Sequence, residues 1–159
     1  MKNLASLFSN LKDYRAYFDN NNFDKISNLK LDDSLNLTFE KIASENQYQT
    51  VDKDNKEPLQ PELDDLVRLH FLVTSRKVTT ILEFGVGYST AVFDHALEMN
   101  KIEYSDYCIK NLRRENLFEC HSVDSSKEWI ETTKRRGNYI NTKFHFSNCS
   151  ISTFNSRIC

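Results

Sequence analysis

The sequence predicts a parallel, doubly wound α/β sheet, and three stretches of the chain support this fold class. The run KVTTILEF at 77–84 is β-branched and apolar, which is typical of a strand buried on both faces. A glycine turn and a run with helical spacing follow it, and the same order of strand and helix recurs at 117–138. The alternating run TKFHFSNC at 142–149 completes the pattern. We therefore expect about three parallel strands with helices on both faces of the sheet.

The length and composition indicate about one domain with a hydrophobic core. The chain has 159 residues, of which 39% are hydrophobic and 12% are aromatic. A formal net charge of −2 gives no general attraction to nucleic acid or to anionic membranes. No apolar run approaches the roughly 18 residues of a membrane span, and the first residues lack the apolar stretch of a signal peptide. We expect a cytoplasmic protein without nucleic-acid or membrane partners.

The cysteines and histidines do not predict a metal site. The four cysteines include no C-x-x-C pair, and we expect reduced, structural thiols at Cys108, Cys120, Cys149 and Cys159. A zinc site that combined them with His121 or His145 would need ligand spacings that differ from the common patterns. The four histidines show no carboxylate-plus-nucleophile setting and are predicted to be structural or surface residues: His70, His95, His121 and His145.

Residues 1–60 are predicted to form a helical extension and a linker. Apolar residues recur at helical spacing over 3–18, and a second helix is predicted at 34–49. A polar linker that carries both prolines of the chain follows. It ends at Pro61, which suits the first turn of the next helix, predicted at 61–77.

The helices of the sheet unit have clear starts and one ambiguous stretch. Ser89 or Thr90 is expected to cap the helix that follows the glycine turn. The polar segment at 100–116 is ambiguous, and we expect an extension of that helix plus a short second helix there. Ser125 and Glu128 have the spacing of a capping box, which predicts the start of the helix after the second strand.

The turn after the first strand predicts a ligand site, because it holds two of the three glycines of the chain. Gly85 and Gly87 would let a ligand approach the backbone at the carboxyl ends of the strands, where parallel sheets bind ligands. A P-loop is excluded because its lysine is missing, and the dinucleotide pattern G-x-G-x-x-G is interrupted by Thr90. Glu83 would repel a pyrophosphate, which favours an amine-bearing ligand instead of NAD.

Two motifs resemble those of class I S-adenosylmethionine-dependent methyltransferases. The run ILEFGVGYST at 81–90 resembles the E-x-G-x-G motif of that family, with Ser89 in place of its third glycine. The run HSVDSSKEWIETTKRR at 121–136 resembles the second motif, an acid at the end of the second strand. The resemblance covers 61–149 and implies a Rossmann-like cofactor-binding domain, of which 61–159 would be the N-terminal half.

The resemblance assigns these residues to the binding of S-adenosylmethionine: Glu83, Gly85, Gly87, Tyr88, Ser89, Thr90, Asp124 and Ser125. Glu83 would lie near the methionine amino group, partly through water, and the glycines would let the cofactor cross the turn. Tyr88, Ser89 and Thr90 would lie near the carboxylate of the cofactor. Asp124 would accept hydrogen bonds from both ribose hydroxyls, because a carboxylate is an acceptor with two oxygens. Asn148 would lie near the adenine.

The sequence ends soon after the third predicted strand, whereas the family continues with strands that supply the acceptor site and catalysis. We expect the N-terminal part of a methyltransferase that acts on a small molecule or a sugar. No catalytic residue is predicted, and this chain alone is expected to be inactive. The alternative is a non-catalytic remnant or interaction module, which binds itself or a partner along the open edge of the first strand. A fragment of a nicotinamide-dependent oxidoreductase is disfavoured by Glu83 and the missing third glycine.

Overall fold

The protein is described by a computed structural model that covers Phe8, residues 11–23, Ile26 and residues 63–148. In chain order its elements are α1 (Leu11–Asn20), α2 (Leu63–Ser75), β1 (Thr80–Phe84), α3 (Tyr88–Asn111), β2 (Glu119–Asp124), α4 (Lys127–Arg136) and β3 (Thr142–Phe146). The three strands form one parallel sheet in the order β1–β2–β3. The predicted α/β class and its parallel sheet are confirmed. The predicted helix at 34–49 and the linker lie outside the described residues.

Two element boundaries differ from the sequence prediction. The polar segment at 100–116 does not start a new helix, because α3 continues through it as one helix of 24 residues that ends at Asn111. The first strand begins three residues late, at Thr80, because the end of α2 uses the residues before it. Lys77 has a φ of 53°, and the Val78 N–H donates to the Val73 carbonyl at 3.0 Å, which closes the helix.

The described helices of the sheet unit pack on one face of the sheet. Val73 of α2 and Ala96 and Leu97 of α3 form a buried cluster with Cys120 of β2. On the same face, Lys134 of α4 lies over the ring of Phe144 of β3. Right-handed crossovers that add strands in chain order place successive helices on the same side, which accounts for this arrangement.

The opposite face of the sheet is open in the described part of the chain. Leu82 and Phe84 of β1 point to that face and are 62% and 82% exposed. The expectation that the first strand is buried on both faces is therefore wrong for these side chains. The helices predicted for the second face have no counterpart among the described residues. A β-branched, apolar run predicts a strand, but it does not reveal how many layers cover it.

The N-terminal helix packs against α2 and the start of α3 through an aromatic cluster. The cluster contains side chains of α1, α2 and α3 together with three residues outside these helices: Tyr14 and Phe18; Leu66 and Val67; Ala91 and Val92; and Phe8, Phe23 and Ile26. The predicted helix at 3–18 is confirmed from Leu11 onward and continues to Asn20. Among the described residues, no helix combines the length and the apolar character needed to cross a membrane.

The buried His70 and the half-buried His95 lie between these helices. The Tyr17 hydroxyl is 2.8 Å from His70 Nδ1, and His70 Nε2 is 2.9 Å from His95 Nδ1. The pKa of His70 is lowered to about 3, chiefly by burial and to a smaller extent by the neighbouring His95 ring. Burial also lowers the pKa of His95. Both imidazoles are therefore neutral in the folded protein at neutral pH.

These histidines predict loss of stability in acid. An unfolded chain protonates His70 near pH 6.5, whereas the folded protein resists protonation until about pH 3. The free energy of unfolding is therefore unaffected by His70 protonation above pH 6.5. Between pH 6.5 and about pH 3 it falls as the pH is lowered, by about 1.4 kcal/mol per pH unit for this one group. Urea unfolding across this range should show a shallower acid slope for His70→Gln than for the parent. His145→Gln, at an exposed position, is the matched control. Equal slopes for the parent and His70→Gln would contradict the prediction.

Candidate functional site

Parallel pairing brings the glycine turn and Asp124 together at the carboxyl edge of the sheet. Phe84 is paired with Val123, so the residues that follow in the two strands are neighbours. The Gly85 N–H donates to the Val123 carbonyl at 2.8 Å, which extends the ladder by one bond. The Val86 N–H then donates to Asp124 Oδ2 at 3.0 Å. The two motifs therefore form one local structure.

The Asp124 carboxylate is held from both sides by backbone amides. The Val86 N–H bonds one oxygen, and the Ser126 N–H donates to the other, Oδ1, at 2.7 Å. A carboxylate has about four lone-pair sites, so each oxygen retains the capacity to accept another hydrogen bond. The side chain is half-buried, which leaves it reachable from solvent. The arrangement presents a fixed, partly satisfied acceptor at the edge of the sheet.

The backbone conformation explains the glycine at position 85 but not the one at position 87. Gly85 has a φ of +94°, a conformation that other residues adopt only with strain. Gly87 has a φ of 173°, which is extended backbone that any residue adopts. A Cβ added at either position would meet no atom within 4 Å, so the space over the turn is open. Neither φ nor packing in the described structure requires glycine at position 87.

Glu83 is buried, and its charge is satisfied inside the protein. The side chains of Ser89 and Thr90 donate to Oε1 at 2.6 Å and to Oε2 at 2.8 Å. The Ser122 hydroxyl donates to Oε2 at 2.6 Å. The carboxylate also faces the start of α3, where the helix dipole favours negative charge. Burial of Glu83 therefore does not require an ammonium ligand, and this weakens the sequence argument from Glu83 to an amine-bearing ligand.

The predicted helix caps are each displaced along the chain. Gly87 is the N-cap of α3, and Thr90 acts from inside the helix by accepting the Gly87 N–H at 2.9 Å. Ser126 caps α4 by accepting the Trp129 N–H at 3.2 Å. The predicted capping box at Ser125 is therefore wrong by one residue. Sequence spacing alone does not fix a cap, because neighbouring hydroxyl residues fit the same pattern.

Three other predicted site residues do not join this cluster. The Tyr88 ring packs against the aromatic core, with the Arg136 guanidinium 5.2 Å from its centroid. Ser125 is exposed beside Asp124. Asn148 is exposed two residues after the end of β3. The structure therefore brings together Glu83, Gly85, Gly87, Ser89, Thr90 and Asp124.

Sequence analysis missed two contributors to the site, Ser122 and the Val86 backbone amide. Ser122 is fully buried in β2 and is paired directly with Glu83 of β1. A serine within an otherwise strand-like run was the available indication, but its partner follows only from the strand register. The Val86 amide carries no sequence information at all, because every residue except proline supplies one.

Asp94 of α3 is a second buried acid, and its contacts are structural. It accepts hydrogen bonds from the Ile140 N–H at 3.2 Å, the Asn141 N–H at 2.8 Å and the Thr142 hydroxyl at 2.8 Å. These bonds attach the start of β3 to the helix. Asp94 therefore positions the third strand and is not a candidate ligand-binding group.

The fold and site define an open parallel α/β protein with a glycine turn and a fixed carboxylate at the carboxyl edge of its sheet. In the described part of the chain, no group of three or more histidine, cysteine, aspartate or glutamate residues could hold a metal ion. Comparison with models of protein families, with curated proteins and with solved structures found no match to this chain.

The backbone geometry predicts opposite results for alanine at the two glycines. Gly85→Ala should lower the free energy of unfolding by about 1–3 kcal/mol, because its φ is left-handed. Gly87→Ala should change it by no more than about 0.5 kcal/mol, because its backbone is extended and its surroundings are open. Urea unfolding of both variants measures this difference. Equal losses of stability would contradict the conformations described for the turn.

Removing a hydroxyl that donates to Glu83 should destabilise the protein more where the hydroxyl is more deeply buried. Ser122→Ala removes a hydroxyl donor from a fully buried position and should cost about 1–3 kcal/mol of unfolding free energy. Ser89→Ala removes a donor to the same carboxylate at a half-buried position, where water can replace it, and should cost less. Thermal or urea unfolding of this matched pair is the measurement. A larger effect at Ser89 would count against the assigned roles.

Proposed function

We propose that this chain is the cofactor-binding part of an S-adenosylmethionine-dependent methyltransferase that acts on a small molecule or a sugar. The observation that carries the proposal is the hydrogen bond between the Val86 N–H and Asp124, at 3.0 Å. It joins the glycine turn and the acid at the end of β2 in one structure, and open space lies over the turn. The same pair of motifs resembles those of class I methyltransferases.

Asp124 is the proposed acceptor for the two ribose hydroxyls. Its two oxygens each accept one backbone N–H, at 3.0 and 2.7 Å, and each has a further lone pair for a ligand. A hydroxyl pair on adjacent carbons matches an acceptor that has two oxygens. The backbone bonds fix the orientation of the carboxylate, so a ligand would not have to order it.

The turn and the start of α3 are the proposed contacts of the methionine part of the cofactor. In this proposal, position 87 is a glycine because a side chain there would enter the open space over the turn that the cofactor occupies. The first turn of a helix has backbone N–H groups without intrahelical partners, which suit a carboxylate. Ser89 and Thr90 are assigned to hold Glu83 and the helix start, since both hydroxyls already donate to that carboxylate.

When bound, S-adenosylmethionine would supply an electrophilic methyl group on its sulfonium. Methyl transfer requires alignment of the acceptor nucleophile with that methyl, which is chiefly a matter of positioning. The residues described here would bind and orient the cofactor. None of the described residues is assigned to the acceptor or to a catalytic base.

An interaction module is the second candidate function, and the open face of the sheet favours it. Leu82 and Phe84 are 62% and 82% exposed, side by side on the same face. β1 is also the edge of the sheet formed by the described strands. An apolar edge strand is a template for pairing with another chain. A partner that covers this surface would have no need of the glycine turn.

Calorimetric titration with S-adenosylhomocysteine tests the proposal. The parent chain should bind, and Asp124→Ala should weaken binding more than about tenfold, or 1.4 kcal/mol, because both ribose contacts are lost. Gly87→Ala should also weaken binding, because its methyl group fills the ligand space while the turn keeps its conformation. This second variant separates loss of the ligand site from loss of the fold.

NAD is the control ligand for this titration, and circular dichroism establishes that each variant is folded. Folded parent protein that does not bind S-adenosylhomocysteine would contradict the proposal and favour the interaction module. Selective binding of NAD would favour the oxidoreductase alternative. Equal binding by the parent and Gly87→Ala would show that the ligand does not cross the turn.

A further inference from the structure

A pair of histidines lies on the open face of the sheet, away from the glycine turn. His121 of β2 is paired with Lys143 of β3, and His145 follows two residues later on the same side of that strand. The two rings are stacked, with centroids 5.3 Å apart and an angle of 19° between their planes. His121 Nδ1 is 3.1 Å from His145 Nε2.

We propose that His121 and His145 form a two-imidazole site for a divalent transition-metal ion of the zinc or copper class. Imidazole nitrogens bind such ions at about 2.0–2.1 Å. Two nitrogens on one ion are then about 2.9–3.4 Å apart, between right-angled and tetrahedral geometry. The observed 3.1 Å falls within this interval, so one ion placed beside the line between the nitrogens would contact both.

Glu119 and Lys143 support the pair as a second layer of contacts. Glu119 Oε2 is 3.3 Å from His121 Nε2, the ring nitrogen that does not face His145. A carboxylate at that position favours a proton on Nε2 and leaves the Nδ1 lone pair free for a metal. Glu119 Oε1 accepts a hydrogen bond from Lys143 Nζ at 2.7 Å, and this ion pair holds the carboxylate beside His121.

Solvent access separates this pair from the other histidine pair of the chain. His145 is exposed and the His121 side chain is 27% exposed, so water can complete the coordination of an ion. His70 is fully buried and its second nitrogen contacts the Tyr17 hydroxyl. The 2.9 Å pair of His70 and His95 therefore lacks the water access that a two-ligand site requires.

Metal binding at the open pair requires one proton to change its position. A nitrogen-to-nitrogen contact of 3.1 Å implies one N–H between the two rings. With the His121 proton on Nε2, that N–H belongs to His145 Nε2, and it would move to the outer nitrogen of His145, Nδ1, so that the ion takes one lone pair from each neutral ring. Two nitrogen ligands and water give a site of modest affinity. Such a site suits an ion that binds reversibly and is not needed for folding.

Zinc titration by calorimetry tests the site in the full, untagged chain with Cys149→Ser and Cys159→Ser, which removes two thiolates that would compete. One Zn²⁺ per chain should bind, and His121→Gln and His145→Gln should each weaken binding at least about tenfold. Electron paramagnetic resonance with Cu²⁺ should show two coordinated nitrogens in this parent and one in each histidine variant. Glu119→Gln should weaken binding without changing the nitrogen count.

Three results would overturn the inference. They are the absence of saturable Zn²⁺ binding, binding that neither histidine variant weakens, and a Cu²⁺ spectrum with fewer than two nitrogens. An unchanged affinity in Glu119→Gln would overturn the supporting role of that carboxylate. Because this site lies on the face opposite α3, S-adenosylhomocysteine binding is measured independently, and failure of either proposal leaves the other intact.

Discussion

The buried carboxylate of Glu83 is the interaction on which the turn, the helix start and the strand pairing jointly depend. Its oxygens accept three hydroxyl donors, from Ser89 and Thr90 of α3 and from Ser122 of β2. A buried charge without such partners would cost far more than the fold could recover from hydrophobic packing nearby. The three elements therefore have to meet at this point, and the direction of the turn from β1 into α3 is fixed by that requirement.

The sequence predicts the order of elements well, because that order is encoded in local patterns. The apolar run before Gly85 and the glycine turn itself identify the first strand and the position of the site. Local patterns do not reveal which residues from distant parts of the sequence will be in contact. Ser122 meets Glu83 only through the register of two strands, and the exposure of Leu82 and Phe84 depends on which layers cover the sheet. The predicted cap of α4 is wrong by one residue because adjacent serines fit the same pattern, whereas α3 begins after Gly87, two residues before the predicted Ser89.

The four histidines illustrate how the same side chain acquires different chemistry from its surroundings. His70 and His95 lie between packed helices, where desolvation keeps the imidazoles neutral and lowers the pKa of both. His121 and His145 lie on an open sheet face at a similar nitrogen separation, 3.1 Å against 2.9 Å, with water on one side. Distance alone therefore does not distinguish a core contact from a metal chelate. Access to solvent and the position of the nearest carboxylate decide between them.

The anchoring of Asp124 by two backbone amides also has a thermodynamic consequence for any ligand that meets it. A free aspartate at a strand end samples several rotamers, and binding must restrict them to one. Here the amides of Val86 and Ser126 impose that restriction during folding, so the entropy of ordering the side chain is already spent when a ligand arrives. Selectivity would then come from the fit of two hydroxyl groups to a rigid acceptor. A ligand with a single hydroxyl, or with the wrong spacing, would find an acceptor that does not adapt.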